Sequence, residues 1–510
     1  MDMTTPITVP LETPSPSGAR SKKRRGVVIV AVLVVIVILS LAGYHYTDMA
    51  TSEFKASVNA HKLAQARSFA DSGIHYTAAL LGRPENLVEL NGNPWSNSAR
   101  FANQEIKADG KTVGYFSIIA PPDPGEEANQ TRYGVTCEAS KININAVFKL
   151  DTTGELLFTM LMKLPDMTED IANSIVDWID PDSDARSGGA ESDYYLGQNP
   201  AYRAKNGPLD SIDELLLVKG MTRELLYGND TNRNGIADPN EQNNVTFYRG
   251  WSAYLTVYSR EQNRTLDGKG LVFLNNTDLE QLYNGIVDTI GDEDLAKFIV
   301  LARQNPMADI NSAPPKKAVE GSLSEYQPKF DRKARYSLIS IYDLINVRVV
   351  RNNVIYNSPL NDVERQRALL PRLLVYGMIL DLPEIPARVN VNTAPREVLL
   401  AIPGLTEADV EKIIGQRPKL STEEKTPDIY ATQAWLLTES QFSLDTLKGI
   451  DRYIGGTSQV YRVQAVGWLE GKGPAVRIEA IIDTNAGRPR IVAWRDMTDL
   501  GKGINDTPAP

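Results

Sequence analysis

Sixteen residues, Val27 to Ala42, run without a charge and, Ser40 apart, without a polar side chain. Such a run is nearly long enough to cross a bilayer, with Val27, Val30, Leu33, Ile36 and Leu39 marking the membrane segment. The basic cluster Lys22-Lys23-Arg24-Arg25 just before it is expected to stay cytoplasmic. From Tyr44 to about Leu81 there is no proline and only one glycine, Gly73, while Phe54, Val58, Ala66, Phe69, Ala70 and Ile74 recur at near-helical spacing. The pattern predicts one helix of about 55 residues, roughly 80 Å long, half in lipid and half packed on a globular head.

Alternation with a period of two then marks strands at both ends of the remaining chain. Residues 105–145 read as strands, with a turn at Asp109-Gly110, the run Thr112 to Ala120, a Pro-rich loop, and Thr131 to Asn145. Near the end, Tyr461 to Leu469, Val476 to Thr484 and Arg490 to Trp494 alternate in the same way, separated by Gly471-Lys472-Gly473 and Asn485-Ala486-Gly487. The two ends are expected to share one antiparallel sheet. The stretch from about 141 to 450 is then a helical insertion between its strands.

Within the insertion a unit recurs: an extended, Asn-bearing start, a Leu-rich helix, a turn and an acidic helix. The first copy runs from Lys141-Ile142-Asn143-Ile144-Asn145 to Trp178-Ile179-Asp180, the second from Val272-Phe273-Leu274-Asn275 to Arg303, and the third from Val389-Asn390-Val391-Asn392 to Arg417. Two copies are followed by matching segments, Ser211-Ile212-Asp213-Glu214-Leu215 and Ser340-Ile341-Tyr342-Asp343-Leu344.

Charge and rare residues narrow the function. Residues 1–26 hold five basic and two acidic side chains, so the rest of the chain carries about −13 of the overall −10 and repels a phosphate backbone. His45, His61 and His75 all fall in the N-terminal helix, which leaves the remainder without an imidazole for general-base or zinc chemistry. Cys137 is the only cysteine and excludes an internal disulfide. No paired carboxylate arrangement emerges, and the reading is non-enzymatic.

The most specific chemical signal is Asp230-Thr231-Asn232-Arg233-Asn234-Gly235-Ile236-Ala237-Asp238-Pro239-Asn240-Glu241. It follows the EF-hand loop: side-chain oxygens from Asp230, Asn232, Asn234, Asp238 and Glu241, a backbone carbonyl from Ile236, and Gly235 at the tight turn. An all-oxygen set without His or Cys points to structural Ca²⁺. The competing reading is an Asx-rich turn without metal. A second acidic stretch, Asp177, Asp180, Asp182, Asp184, Glu191 and Asp193, matches no loop template. Asp180, Asp182, Asp184 and Asp193 are its candidate ligands, against solvated turns as the alternative.

The leader admits three readings: a secretory signal cut after Ser40-Leu41-Ala42, a plain signal anchor, or a prepilin-like leader cut between Gly26 and Val27. Gly26, set between the basic cluster and the apolar run, and the unbroken helix beyond favour the third. With Lys141-Ile142-Asn143-Ile144-Asn145, Asp177-Trp178-Ile179-Asp180-Pro181-Asp182, Gly189-Ala190-Glu191, Asp193-Tyr194-Tyr195 and Ser211 to Leu215 added, the chain resembles the general secretion pathway protein K family, the large minor pseudopilins of bacterial type II secretion. The resemblance implies an α+β, pilin-like fold, a long N-terminal helix on an antiparallel sheet. It also implies a large helical insertion of helix-hairpin-helix/SAM-like repeats, bound calcium, and cleavage by prepilin peptidase. The place it implies is the tip of the periplasmic pseudopilus, anchored by a single pass in the inner membrane. Partners would be the I and J type minor pseudopilins, the major pseudopilin, and secreted substrates or the outer-membrane channel. The fifth residue after the expected cut is Ala31, where major pilins have a glutamate that pairs with a neighbour's terminal amine.

The expected organisation is a leader over 1–26, the transmembrane and spine helix over 27–82, and the first part of the sheet over 83–140. The insertion follows, with the calcium loop in 141–260, a second and extra unit over 261–386, and a third unit over 387–450. Residues 451–510 return to the sheet. The repeat also admits a competence-type DNA receptor anchored in the membrane. Against it, the third copy offers Gly404-Leu405-Thr406 where a DNA-binding hairpin has two glycines, and Glu407, Asp409 and Glu411 stand where a phosphate would approach.

Overall fold

The computed structural model describes residues 25–83, 85, 90, 93–108, 110–122, 131–238, 241, 247–265, 268–421, 424, 426–471 and 473–504. The leader cluster Lys22 to Arg24, Asp109, most of the Pro-rich loop, Pro239, Asn240 and Lys472 lie outside them. The chain divides into two compact units, residues 1–61 and 62–510.

The described part of the first unit is helical throughout and belongs to one α-helix, Arg25–Leu81. Its apolar run is exposed around the whole circumference, with Val28, Leu33, Ile36 and Leu39 all more than half accessible. This helix is long and apolar enough to cross a membrane.

In the second unit the same helix buries Ala66, Ala70, Ile74 and Ala78, a stripe of period four, against a sheet. The sheet runs, in hydrogen-bonded order, Gln104–Ala108, Lys111–Ala120, Val460–Leu469, Ala475–Asp483 and Arg490–Asp496, all antiparallel. Its helix-side face is apolar: Phe116, Ile118, Tyr461, Val463, Ala465, Val476, Ile478, Ala480 and Ile482. Small residues bring the backbones together. A Cβ on Gly467 would stand 2.4 Å from both the Ala66 carbonyl oxygen and the Ala70 nitrogen, so Gly467→Val is expected to cost about 1–3 kcal/mol, read as a lower thermal midpoint.

The opposite face of the sheet is also covered, by the insertion. One hydrophobic core continues through that insertion from Ile142 to Ile454. Three copies of a unit build it, each opened by a two-residue strand that pairs in parallel with a two-residue strand at its close. The pairs are Ile142–Asn143 with Leu255–Thr256, Val272–Phe273 with Gly377–Met378, and Val389–Asn390 with Ile454–Gly455. A half-buried asparagine amide clamps each unit. Asn145 exchanges two hydrogen bonds of 2.9 Å with the Leu209 backbone. Asn275 does the same with Leu338 and also donates to the Ile379 carbonyl. Asn392 donates to the carbonyls of Tyr430 and Gly456 and accepts from the Trp435 indole. Asn275→Ala strands three backbone groups in the second copy and is expected to cost about 1–3 kcal/mol in denaturant unfolding.

Two sequence expectations are corrected here. Thr131 to Asn145 is not one strand: it breaks into Arg132–Tyr133, Thr136–Cys137, a 3₁₀ turn Glu138–Ser140 and Ile142–Asn143, and a helix begins at Ile144. Gly134 packs so tightly on the Trp95 carbonyl that a Cβ would meet it at 1.8 Å, and Asn143 caps the helix by accepting from the Ala146 amide. The second copy also contains a four-stranded sheet, Met307–Asp309, Val319–Glu320, Val347–Arg351 and Val354–Asn357, that alternation did not reveal.

Candidate metal centres

The short helix Arg223–Tyr227 ends at Gly228, whose φ of +67° turns the chain into the acidic loop. Asp230 folds back over that loop, accepting from the amides of Asn234 at 3.1 Å and Gly235 at 2.8 Å. Gly235, at φ +74°, leaves no room for a Cβ, which would meet Pro121 at 2.4 Å. Asn232 and Asn234 direct their amide nitrogens to one Asp238 oxygen, at 2.6 and 3.3 Å. Glu241 closes the loop by accepting from the Thr231 amide and hydroxyl at 2.8 and 2.6 Å.

Asp230, Asn234, Ile236, Asp238 and Glu241 are all buried, and the second Asp238 oxygen is buried without a partner. Burial, followed by the Glu241 charge, pushes the Asp230 carboxyl up to about 6. Three carboxylates and two amides thus share one turn of chain, a donor set that fits a hard cation.

The second acidic stretch assembles differently from its expected membership. Asp180 caps the end of the helix Glu169–Ile179, and it meets Asp182 and Glu191, each offering an oxygen within 4.8 Å of the others. Asp184 and Asp193 stand outside this group. Their neighbour Asp177 is structural, accepting from the amides of Arg186 and Ala190. One oxygen of Asp180 and both of Glu191 are buried without hydrogen-bond partners. So is Oδ1 of Asn206, whose amide donates to the Asp182 carbonyl. Burial and then Asp182 push Asp180 up to about 6, and burial and then Asp180 push Glu191 up to about 7. Unpartnered, mutually repelling oxygens are what a divalent cation satisfies, so this group also fits an oxygen-ligated ion. Sequence reading missed Asn206, which lies 15 residues beyond Glu191 in a segment without acidic spacing.

A buried polar chain ties the first loop to the sheet. Glu138, fully buried, accepts from the Thr256 hydroxyl at 2.6 Å and takes Arg462 in a bidentate pair at 2.8 and 3.1 Å. Arg462 also reaches Glu479 at 2.6 Å, and Glu479 accepts from Gln464 at 2.9 Å. Gln464 in turn accepts from Arg477 at 2.7 Å, and Arg477 donates to the carbonyls of Asn232 and Arg233 at 2.7 and 2.6 Å. Burial opposes the charge on Glu138, but Arg462, helped by Lys141, outweighs it and holds the carboxyl down at about 2.

Residues 140–227 match a family model described as type II secretion system (T2SS), protein K, and residues 389–442 match a second model of the same description. Among solved structures the chain is similar to one in the crystal structure of the GspK-GspI-GspJ complex from the enterotoxigenic Escherichia coli type 2 secretion system. That likeness has 12% identity and a TM-score of 0.38, over 85% of this chain and 96% of the other. No curated protein matches. The first matched stretch holds the Asp180, Asp182 and Glu191 group, and the second holds the opening strand and the clamping Asn392 of the third unit. Two separate stretches of the chain thus match the protein K family of the type II secretion system.

Proposed function

We propose that this chain is a minor pseudopilin that caps the periplasmic pseudopilus together with I and J type minor pseudopilins, on top of the major pseudopilin, and so supports export of folded proteins. The observation that carries the reading is the helix Arg25–Leu81, apolar and exposed all round in its first part, on a chain with two stretches that match the protein K family. Such a surface is satisfied by lipid and by neighbouring helices. Prepilin peptidase removes the leader between Gly26 and Val27, leaving a single-pass inner-membrane protein with its large domain in the periplasm. Ala31 at the fifth mature position gives no charge partner to a subunit stacked above, which supports a terminal position.

In this reading the Asn-clamped units are helix-hairpin-helix/SAM-like modules used for packing and protein contacts, and the protein performs no catalysis. Ca²⁺ held by Asp230, Asn232, Asn234, Ile236, Asp238 and Glu241, and a second ion held by Asp180, Asp182 and Glu191, fix the loops of the first copy of the repeat. Bound calcium neutralises buried carboxylates and crosslinks the chain segments that carry them.

Co-expression with the I and J type pseudopilins from the same secretion system tests the assembly. A stoichiometric complex that survives gel filtration is expected. Elution of this chain alone, with salt-dependent retention of duplex DNA, would transfer support to the membrane-anchored DNA receptor.

A further inference from the structure

The joint between sheet and insertion holds a partly open cavity of about 130 Å³. Its walls come from both layers: Arg132, Arg462 and Arg495 stand on the sheet side, and Lys141, Arg233 and Arg249 on the insertion side. Two carboxylates share the lining, Asp230 and Glu479, and both are engaged. Asp230 turns its oxygens to amides of its own loop, and Glu479 holds Arg462 and Gln464.

Arg462 is matched by Glu138 and Glu479, and Arg495 by Asp213 at 2.6 Å. Lys141 and Arg233 are held differently. The Lys141 ammonium donates to the Ser252 carbonyl at 2.8 Å. Arg233 lies on the Tyr227 ring, its guanidinium carbon 3.6 Å from the centroid, with Nε buried and without a hydrogen-bond partner. Lys141 feels the charges of Arg462 and Arg249, which Glu138 and Glu479 offset in part. Burial, and next the Arg462 charge, push its ammonium down to about 8.

We infer that this cavity binds a small oxyanion of the size and charge of sulfate or phosphate, held by Lys141 and Arg233 between the two layers. A cavity of this volume has room for such an ion. An ammonium and a guanidinium supply charge-assisted hydrogen bonds, and the orphaned Arg233 Nε gains its missing acceptor. The bound ion offsets the repulsion between the walls and so fastens the insertion to the sheet. Arg233, at the fourth loop position, and Lys141 are not calcium donors, but Asp230 is proposed as one and also lines the cavity, so calcium is held constant in the test.

Titrating sulfate into the full-length chain in detergent micelles, at fixed calcium and with chloride balancing ionic strength, tests this by calorimetry and thermal melting. Saturable binding and a rise in Tm are expected, with no such response to chloride. The Kd is expected to weaken about tenfold in Lys141→Gln and in Arg233→Gln, equivalent to about 1.4 kcal/mol. A wild-type titration that never saturates, a response that chloride reproduces, or an affinity unaltered in both variants overturns the site. If a variant does not fold, the wild-type titration decides alone.

Discussion

Glu138→Ala is expected to lower the unfolding free energy by about 3–5 kcal/mol, the cost of breaking a buried ion pair by removing one of its members. The carboxylate sits at 0% exposure and joins three parts of the chain: the Thr256 hydroxyl at the close of the first unit, Arg462 on the central strand, and through Arg462 the Glu479 carboxylate. Its removal leaves the Arg462 guanidinium with one carboxylate instead of two and strands the Thr256 hydroxyl. Glu138→Gln keeps an acceptor for Thr256 and loses the charge, so an intermediate loss is expected. The same site fixes a pH dependence. Glu138 is held near 2 in the fold against an ordinary value of 4.5, and Glu479 is also lowered, because Arg462 outweighs the burial that opposes their charge. A depressed carboxyl stabilises the fold fully above its unfolded value, and that contribution is lost as pH falls towards its folded value. The gap between wild type and Glu138→Ala in urea titrations is therefore expected to be constant at neutral pH and to shrink between about pH 4.5 and 2.

Removing calcium is expected to produce the second large effect. A site filled at about a hundred times its Kd adds about 2.7 kcal/mol to the folded state, so chelation should lower Tm by several degrees. Asp230→Ala and Glu241→Ala are each expected to abolish the share of this rise that belongs to the 230–241 loop, and Asp180→Ala and Glu191→Ala the share of the other group. A crossing of signs separates ligation from ordinary packing. In chelator, Glu191 is a buried carboxylate with two unpartnered oxygens beside Asp180 and Asp182, so Glu191→Gln relieves repulsion and raises the metal-free Tm while it removes the calcium response. A residue with a packing role alone would lower Tm under both conditions. Differential scanning calorimetry with and without chelator reads both.

Where one face of an element is apolar, the sequence was a sound guide. Val476 to Thr484 was expected as a strand, and Ala475–Asp483 is one; the helix expected over about 55 residues covers Arg25–Leu81. The other face of the sheet was less legible. Arg462, Gln464, Arg477 and Glu479 occupy alternate positions that ordinarily mean solvent, yet here the insertion covers them and they form one hydrogen-bonded chain. Charged residues at alternating positions of two adjacent strands were the available signal. The hairpin Val347–Arg351 and Val354–Asn357 was also marked locally, since Asn352-Asn353 takes positive φ at both positions as a two-residue turn requires. The membership of the second acidic group was not legible, because a turn of chain brings Glu191 to Asp180 and leaves Asp184 and Asp193 aside. Linear spacing carries no information on such a closure.

The mature N-terminus, determined by intact mass and terminal sequencing of protein taken from membranes, tests most directly whether this chain works as a processed pseudopilin. A start at Val27 is predicted, with the apolar helix retained. A start at Gly43, which discards that helix, or an uncut chain that keeps Gly26 and its basic cluster, would contradict it.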